Sequence, residues 1–330
     1  MKRIAIAVAL LILATVPLWI GNSFYINIAA QVLIYAIFAL SLNILAGYAG
    51  LVTLGHAGLF GVAAYTAGLL ITSGHGQLVV ALGSCAMTIA IAGVFAVLAL
   101  RGTGLGFVMI TVALGEICWG LAFRWISVTN GDNGVTINVR PHPFGFSLES
   151  AEAFYWATFA VFLLTIGSMA VFVASPFGAA LRGTRDQPRR MTALGYNVWL
   201  TRFLAFLFSG FWSAVAGLLY LYYNQFISPE AVSLSSSAEA LLMVIAGGSG
   251  TLLGPVIGAG LVVIMKDVAS AYISRWNFVL GAIFVLIVVF MPDGLVPGSM
   301  RAWRWLNSRR VRTPVAATAT PAIEVADDGA

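Results

Sequence analysis

"SPFGAALRGTRDQPRRMTALGYNVWLTRF" runs from Ser175 to Phe203 and gathers Arg182, Arg185, Arg189, Arg190 and Arg202 between two long apolar runs. The rest of the chain is poor in charge. Of its 330 residues, 60% are hydrophobic and 9% charged, with a mean hydropathy of +0.96. Soluble domains carry about 25% charged residues, so the composition points to an all-α polytopic membrane protein. A net charge of +5 would suggest nucleic acid in a soluble protein. Here the cations sit in loops between apolar runs, where topology and lipid headgroups account for them. No basic platform with interleaved aromatics is available to stack bases.

A membrane-spanning helix needs about 20 mostly apolar residues. Working outward from the arginine-rich stretch, runs at 4–20, 27–46, 54–73, 78–100, 105–123, 154–174, 203–223, 236–249, 255–273 and 277–291 predict about ten transmembrane helices. The eighth run is short and rich in glycine. Met1-Lys2-Arg3 before the first run has the opening of a signal peptide. No small-x-small cleavage site closes that run, so a retained signal-anchor helix is expected.

Lys2 and Arg3 precede the first run, Arg101 follows the fourth, and the arginine-rich stretch follows the sixth. Arg301, Arg304, Arg309, Arg310 and Arg312 follow the last. With the N-terminus inside, these groups all fall on the cytoplasmic side, the positive-inside pattern, and both termini are cytoplasmic. The opposite loops carry Asp132, Glu149, Glu152 and Glu230, with Arg124 and Arg140 as exceptions. Residues 1–300 therefore read as one transmembrane domain with a cytoplasmic segment at 175–202. Residues 301–330 read as a basic stretch followed by a tail, "TPVAATATPAIEVADDGA", too poor in bulky apolar groups to order itself.

The arginine-rich stretch has finer grain than topology needs. Asp186 or Gln187 is a cap, Pro188 suits the first helical position and Gly195 suits a C-terminal stop. The two-turn helix between them sets Met191 and Leu194 on one side, with Arg189 and Arg190 beside them and Arg182 and Arg185 on the approach. So short a helix is marginal alone. Its apolar edge and cationic flanks suit docking into a partner's groove; the plain alternative is a solvated topogenic loop.

A nucleotide-binding P-loop needs a Lys after a glycine loop, G-x-x-x-x-G-K-[ST]. Lys2 and Lys266 are the only lysines, and neither follows such a loop. Any driving ATP must therefore act in trans, and no cofactor is expected in this chain. No Ser-His-Asp or Cys-His arrangement and no metal-ligand spacing is present, which argues against an enzyme.

The glycines cluster in two places. "GYAGLVTLGHAGLFG" holds Gly47, Gly50 and Gly55, and "AGGSGTLLGPVIGAG" holds Gly247, Gly248 and Gly250. Small residues let helices approach closely in a bilayer, and glycine breaks in apolar runs also line translocation paths. "AGYAG" (Ala46–Gly50) echoes "AGGSG" (Ala246–Gly250), either by chance or as the remnant of a duplication. Asn43 is polar within the second run and suits hydrogen bonding across helices. His56 reads as a packing residue or as part of a path. Glu116 lies mid-run, where a carboxyl is hydrogen-bonded, faces a path or carries protons. Asp132 and Asn133 sit in a turn-rich outer loop.

"RGTRDQPRRMTALGYNVWLTRFLAFLFSG" resembles the cytoplasmic coupling segment of branched-chain amino acid ABC transporter permeases of the LivM type. So do "ALSLNILAGYAGLVTLGHAGLFGVAAYTAGLL" (Ala39–Leu70), "ITVALGEICWGLAFRWISVTNGDNGV" (Ile110–Val135), "EALLMVIAGGSGTLLGPVIGA" (Glu239–Ala259) and "MPDGLVPG" (Met291–Gly298), in the family's order. One feature departs: the general importer motif has a glutamate near the start of its short helix, where this chain has Asp186 and then Pro188. The resemblance implies an ABC importer permease fold in the bacterial inner membrane. It implies a second, LivH-like permease subunit, two cytoplasmic ATPases that use ATP and Mg, and a periplasmic substrate-binding protein received at the outer loop of Asp132 and Asn133. The implied cargo is a branched-chain amino acid. Import of another small solute, such as urea or an amide, and a stand-alone secondary transporter or channel are the alternatives.

Overall fold

The computed structural model describes residues 23–137 and 150–272, together with isolated positions between 278 and 298. The predicted first run, most of the tenth and the segment 301–330 lie outside the described residues. The other eight predicted runs all have helical counterparts.

Helix α1 (Ser23–Asn43) is the axis of the molecule. Every residue from Ala36 to Leu45 is buried, as expected of a helix that is apolar all round. It packs against α6 (Ala151–Ala174), α9 (Val198–Asn224), α10 (Leu234–Gly247) and α11 (Gly254–Tyr272). At its far end α1 widens into a π-helical turn, Ile44–Ala49. Gly50 closes that turn at φ +70°, with its N–H on the Leu45 carbonyl. This left-handed conformation is nearly free of cost only for glycine.

Around the axis stand α2 (His56–Thr72), α3 (Gln77–Ala99) and α4 (Leu105–Arg124). A short helix, α5 (Ile126–Thr129), follows. Among the described residues, five helices are long and apolar enough to cross a membrane: α1 with its π-turn, α3, α4, α6 and α9. In α3, α4 and α6 only 28%, 22% and 28% of the apolar window is buried, against 72% in α1. Their outward faces carry Leu82, Met109 and Val171, as helices bounded by lipid or another subunit do. The chain is thus a multi-pass membrane protein.

Helices α2 and α10 are too short to cross alone. Seventeen and fourteen residues make about 25 and 21 Å at 1.5 Å each. Each starts after a non-helical approach, at 50–55 and 225–233. In the second approach, Phe226–Ile227 (β2) pairs antiparallel with Val135–Thr136 (β1), and a 3-10 turn, Pro229–Val232, then leads inward. Val232 lies where a side chain on Gly61 would stand. Irregular backbone at such depth is tolerated where protein or a water-filled cavity surrounds it.

The arginine-rich stretch forms two helices rather than a loop with one. Ser175 caps α7 (Pro176–Asp186) by accepting from Gly178 N at 3.2 Å, and Pro176 takes the first position. Gln187 then separates α7 from α8 (Pro188–Ala193). Asn197 starts α9 by accepting from Leu200 N at 3.0 Å.

Candidate functional site

The site builds up from the arginine-rich end of the bundle. There Asn43, Gly47, Gly50, Arg185 and Gly250 come together from three distant parts of the chain. The Asn43 carboxamide is engaged at both ends: Oδ1 accepts from Gly250 N at 2.9 Å and Nδ2 donates to the Thr251 carbonyl at 2.8 Å. Buried to 1% exposure, it clasps the end of α1 to the α10–α11 turn. A Cβ on Gly47 would overlap both Asn43 Oδ1 and Gly250 N. The two segments whose sequences echo each other therefore touch at their glycines.

Arg185, on α7, donates from Nη1 to the Gly47 carbonyl and lays its stem over Gly50, where a Cβ would stand 2.8 Å from Arg185 Cγ. Its Nε is 3.9 Å from Asp186 Oδ1, with Asp186 73% exposed. Arg202 Nη2 donates to the Thr184 carbonyl at 2.7 Å, tying the start of α9 to α7. Arg182, Arg189 and Arg190 are exposed, as is Leu194. Met191 is half-buried over Gly183, and Gly195 turns the chain at φ +85°. The surface of α7 and α8 is thus cationic with an apolar edge, and Arg185 links it mechanically to α1 and α10–α11.

One step further in is a node of small hydroxyls. Ser41 Oγ donates to the Phe38 carbonyl at 2.7 Å and shares a hydrogen bond of 2.8 Å with His56 Nε2. Ser209 Oγ donates to the Ser41 carbonyl at 2.6 Å, and Ser237 Oγ accepts from Ala57 N at 3.0 Å. Helices α1, α2, α9 and α10 are joined at this level. Nearby, the carbonyl of Thr111 on α4 lies where a Cβ on Gly55 would stand, which forces a backbone-to-backbone approach there.

Beyond the node a cavity of about 610 Å³ opens between α1, α2, α9, α10, α11 and the segment 228–233, which brings Glu230 into its lining. Phe38 stacks on His56 at 5.4 Å and meets Phe60 at 4.6 Å, closing the cavity toward the node. Tyr35 and Tyr220 stand edge to face at 6.2 Å in its wall. Glu239 and Lys266 face each other there, with Nζ 3.3 Å from Oε2. Ionisable groups in the apolar segments of a membrane protein are tolerated where they pair or face a cavity, and these two do both.

Other expected residues stand apart. Glu116 is exposed on the outer face of α4, and among the described residues nothing hydrogen-bonds to it. Gly247 approaches the backbone of Gly254, and Gly248 ends α10 at φ +116°. Asp132 and Asn133 are exposed in a 3-10 turn beside β1, at the end opposite the arginines.

Sequence reasoning missed Ser41, Ser209 and Ser237, and it missed Glu239 as the partner of Lys266. A signal for the latter exists. Residues 239 and 266 lie symmetrically about Leu252-Leu253, in the glycine-rich break, so an antiparallel hairpin must set them face to face.

A family model described as "Branched-chain amino acid transport system / permease component" matches residues 24–288. The chain is 29% identical over 322 residues to the high-affinity branched-chain amino acid transport system permease protein LivM of Escherichia coli K12, covering 90% of this chain and 75% of that one. It is 25% identical over 185 residues to the permease protein LivH of the same organism, covering 52% and 59%. A metal-chelate type ABC transporter solved in an inward-facing conformation superposes with a TM-score of 0.52 at 17% identity, covering 88% of this chain and 99% of that one. At that identity the likeness speaks for the fold alone.

Proposed function

Because this chain belongs to the branched-chain amino acid transport permease family, we propose that it is the transmembrane permease subunit of an ATP-driven importer. Its cargo is a branched-chain or related apolar amino acid. It sits in the bacterial inner membrane beside a second, LivH-like permease subunit. Two cytoplasmic ATPases dock beneath the pair, and a periplasmic binding protein delivers the substrate at the end that carries Asp132 and Asn133. The arginine-rich end is cytoplasmic, by the positive-inside rule.

The observation that carries this reading is the chain of contacts leading inward from the arginine-rich surface. A helix of six residues, Pro188–Ala193, has no buried residue of its own and is seated on α7. From α7, Arg185 holds the Gly47 carbonyl and Asn43 holds the Gly250–Thr251 turn. A push or tilt applied to α7 and α8 by a partner therefore acts on α1 and on the α10–α11 hairpin, which wall the cavity. Packed helices respond to such a push by moving between discrete arrangements rather than by deforming smoothly. In this account, closure of the ATPases reorients these helices and exposes the path alternately to each side. The chain contributes the conduit and the joint, and the nucleotide chemistry belongs to the partner.

The test is co-purification with the ATPase subunits. Arg189→Glu combined with Arg190→Glu reverses the charge of the exposed α8 surface without touching a buried contact. The ATPases are expected to co-purify with the parent chain and to be lost from this variant. Retention of the ATPases at the parent level contradicts docking through α8.

A further inference from the structure

Three long helices turn broad faces away from the bundle, and the faces are not alike. Helix α3 has no charged residue, and α6 has only Glu152, in its first turn. Their exposed positions, such as Leu82 and Val94 on α3 and Leu164 and Val171 on α6, suit lipid. Helix α4 departs from both. Glu116 lies about 17 Å from the start of α4 and about 12 Å from its end. It is exposed at mid-span, where hydrocarbon offers a carboxyl no hydrogen-bond partner.

The same face carries a repeating pattern. Gly106, Met109, Ala113, Glu116 and Gly120 follow one another at alternating steps of three and four, the spacing of a seam between two packed helices. The first four are exposed and Gly120 is half-buried. Among the described residues, a side chain on Gly106 or Gly120 would meet nothing within 4 Å. Gly115, on the inward side of the same helix, is different: a Cβ there would stand 2.9 Å from Gly55 Cα. Packing within this chain thus accounts for the inward glycine and not for the outward pair. Small residues on a membrane helix admit a second helix at close range.

Resting on the two-permease reading, we infer that this face of α4 is the seat of the second permease subunit. A helix of that subunit lies along Gly106, Ala113 and Gly120 and brings a hydrogen-bond donor to the Glu116 carboxyl. Lipid fails as the occupant, because it leaves the carboxyl unpartnered at mid-span. The ATPases and the binding protein work outside the bilayer and do not reach that depth. A membrane-spanning subunit does. This chain is similar to LivH as well as to LivM, so two such permeases share a fold and meet about a pseudo-two-fold axis, each presenting the corresponding helix.

The test uses the full complex in membranes, with the photo-cross-linker p-benzoyl-phenylalanine placed at Met109 on α4, Leu82 on α3 or Leu164 on α6. After irradiation, the Met109 position is expected to yield this chain joined to the second permease, and the other two positions to yield lipid adducts. In detergent, Glu116→Leu is expected to weaken association of the two permeases about 3- to 20-fold, the range of interhelical hydrogen bonds in membranes. Glu116→Gln, which keeps an acceptor, is expected to weaken it less. Thermal unfolding of the chain on its own should be unchanged in both variants, which separates loss of the interface from loss of the fold. The cross-link needs neither variant, so misfolding of Glu116→Leu does not blunt the test. Met109 adducts to lipid only, or to residues 1–22 of this chain only, overturn this seat and leave the two-permease reading standing. Association unchanged by Glu116→Leu overturns the bond to Glu116. A Met109 product made of two copies of this chain overturns both the seat and the two-permease reading beneath it.

Discussion

Arg185→Ala is expected to separate ATP hydrolysis from transport. In the structure Arg185 does not end at a partner's surface; it reaches back from α7 to the Gly47 carbonyl and covers Gly50. Alanine removes that bond and the stem packed over the glycine. A hydrogen bond from a charged donor contributes roughly 1.5–3 kcal/mol. The side chain is 47% exposed, so water screens and partly replaces the bond, and about 1–2 kcal/mol is a fair figure. That corresponds to a factor of about 5–30 in the equilibrium that ties α7 to α1. The assay is the complex in proteoliposomes, with ATP hydrolysis and L-leucine uptake measured on one preparation. Hydrolysis is expected to stay within about twofold of the parent, because α8 and its arginines are untouched, while uptake per ATP falls about 5- to 30-fold. Arg185→Lys keeps a charge but not the planar fork and should fall between. Uptake per ATP equal to the parent's refutes the relay, as does a parallel collapse of hydrolysis and uptake, which would make Arg185 a docking residue.

Asn43→Ala leaves Gly250 N and the Thr251 carbonyl without their partners, at about 1–3 kcal/mol for each orphaned group. Thermal unfolding of the detergent-solubilised chain should show a lower midpoint, with Asn43→Asp in between because it keeps the acceptor and loses the donor. Gly47→Ala forces a Cβ into Asn43 Oδ1 and Gly250 N and should cost about 1–3 kcal/mol by overpacking. Gly106→Ala meets nothing within 4 Å and should leave the same midpoint unchanged. Ser41→Ala strips His56 Nε2 of its hydrogen-bond partner deep among helices, at about 1–3 kcal/mol. Its signature is non-additivity with His56→Ala: the double variant should lose less than the sum of the two single losses, since both changes remove the same bond.

The apolar runs were legible because length and hydropathy alone mark a helix in lipid. Eight of the predicted runs coincide with observed helices to within a few residues. The glycine clusters were legible as places of close approach, but not which backbone each one meets: Gly47 with Gly250 and Gly55 with Thr111 are pairings between distant segments. Asn43 stood out as a polar group in an apolar run, and it does bond across helices. Helix α7 was hidden. Its start, Ser175-Pro176, carries the usual cap and first-turn signals, but it directly continues the apolar run of α6, so hydropathy alone shows no boundary there. The serine node escaped because a serine in an apolar helix ordinarily bonds its own backbone, as Ser84 does, so periodicity does not reveal one that reaches across. Glu116 shows the remaining gap. Its exposure on α4 is a property of one chain, and what faces it is decided by whatever packs against that helix.

The central claim is that the chain is a conduit powered by a partner. The most direct measurement is radiolabelled L-leucine accumulation in proteoliposomes holding either this chain alone or the complete complex with both ATPases and the binding protein. The chain alone, with ATP or with an imposed ion gradient, is expected to concentrate nothing, and the complex is expected to accumulate L-leucine only when ATP is hydrolysed. Uphill accumulation by the chain alone, or accumulation by the complex that persists when ATP hydrolysis is blocked, contradicts the account.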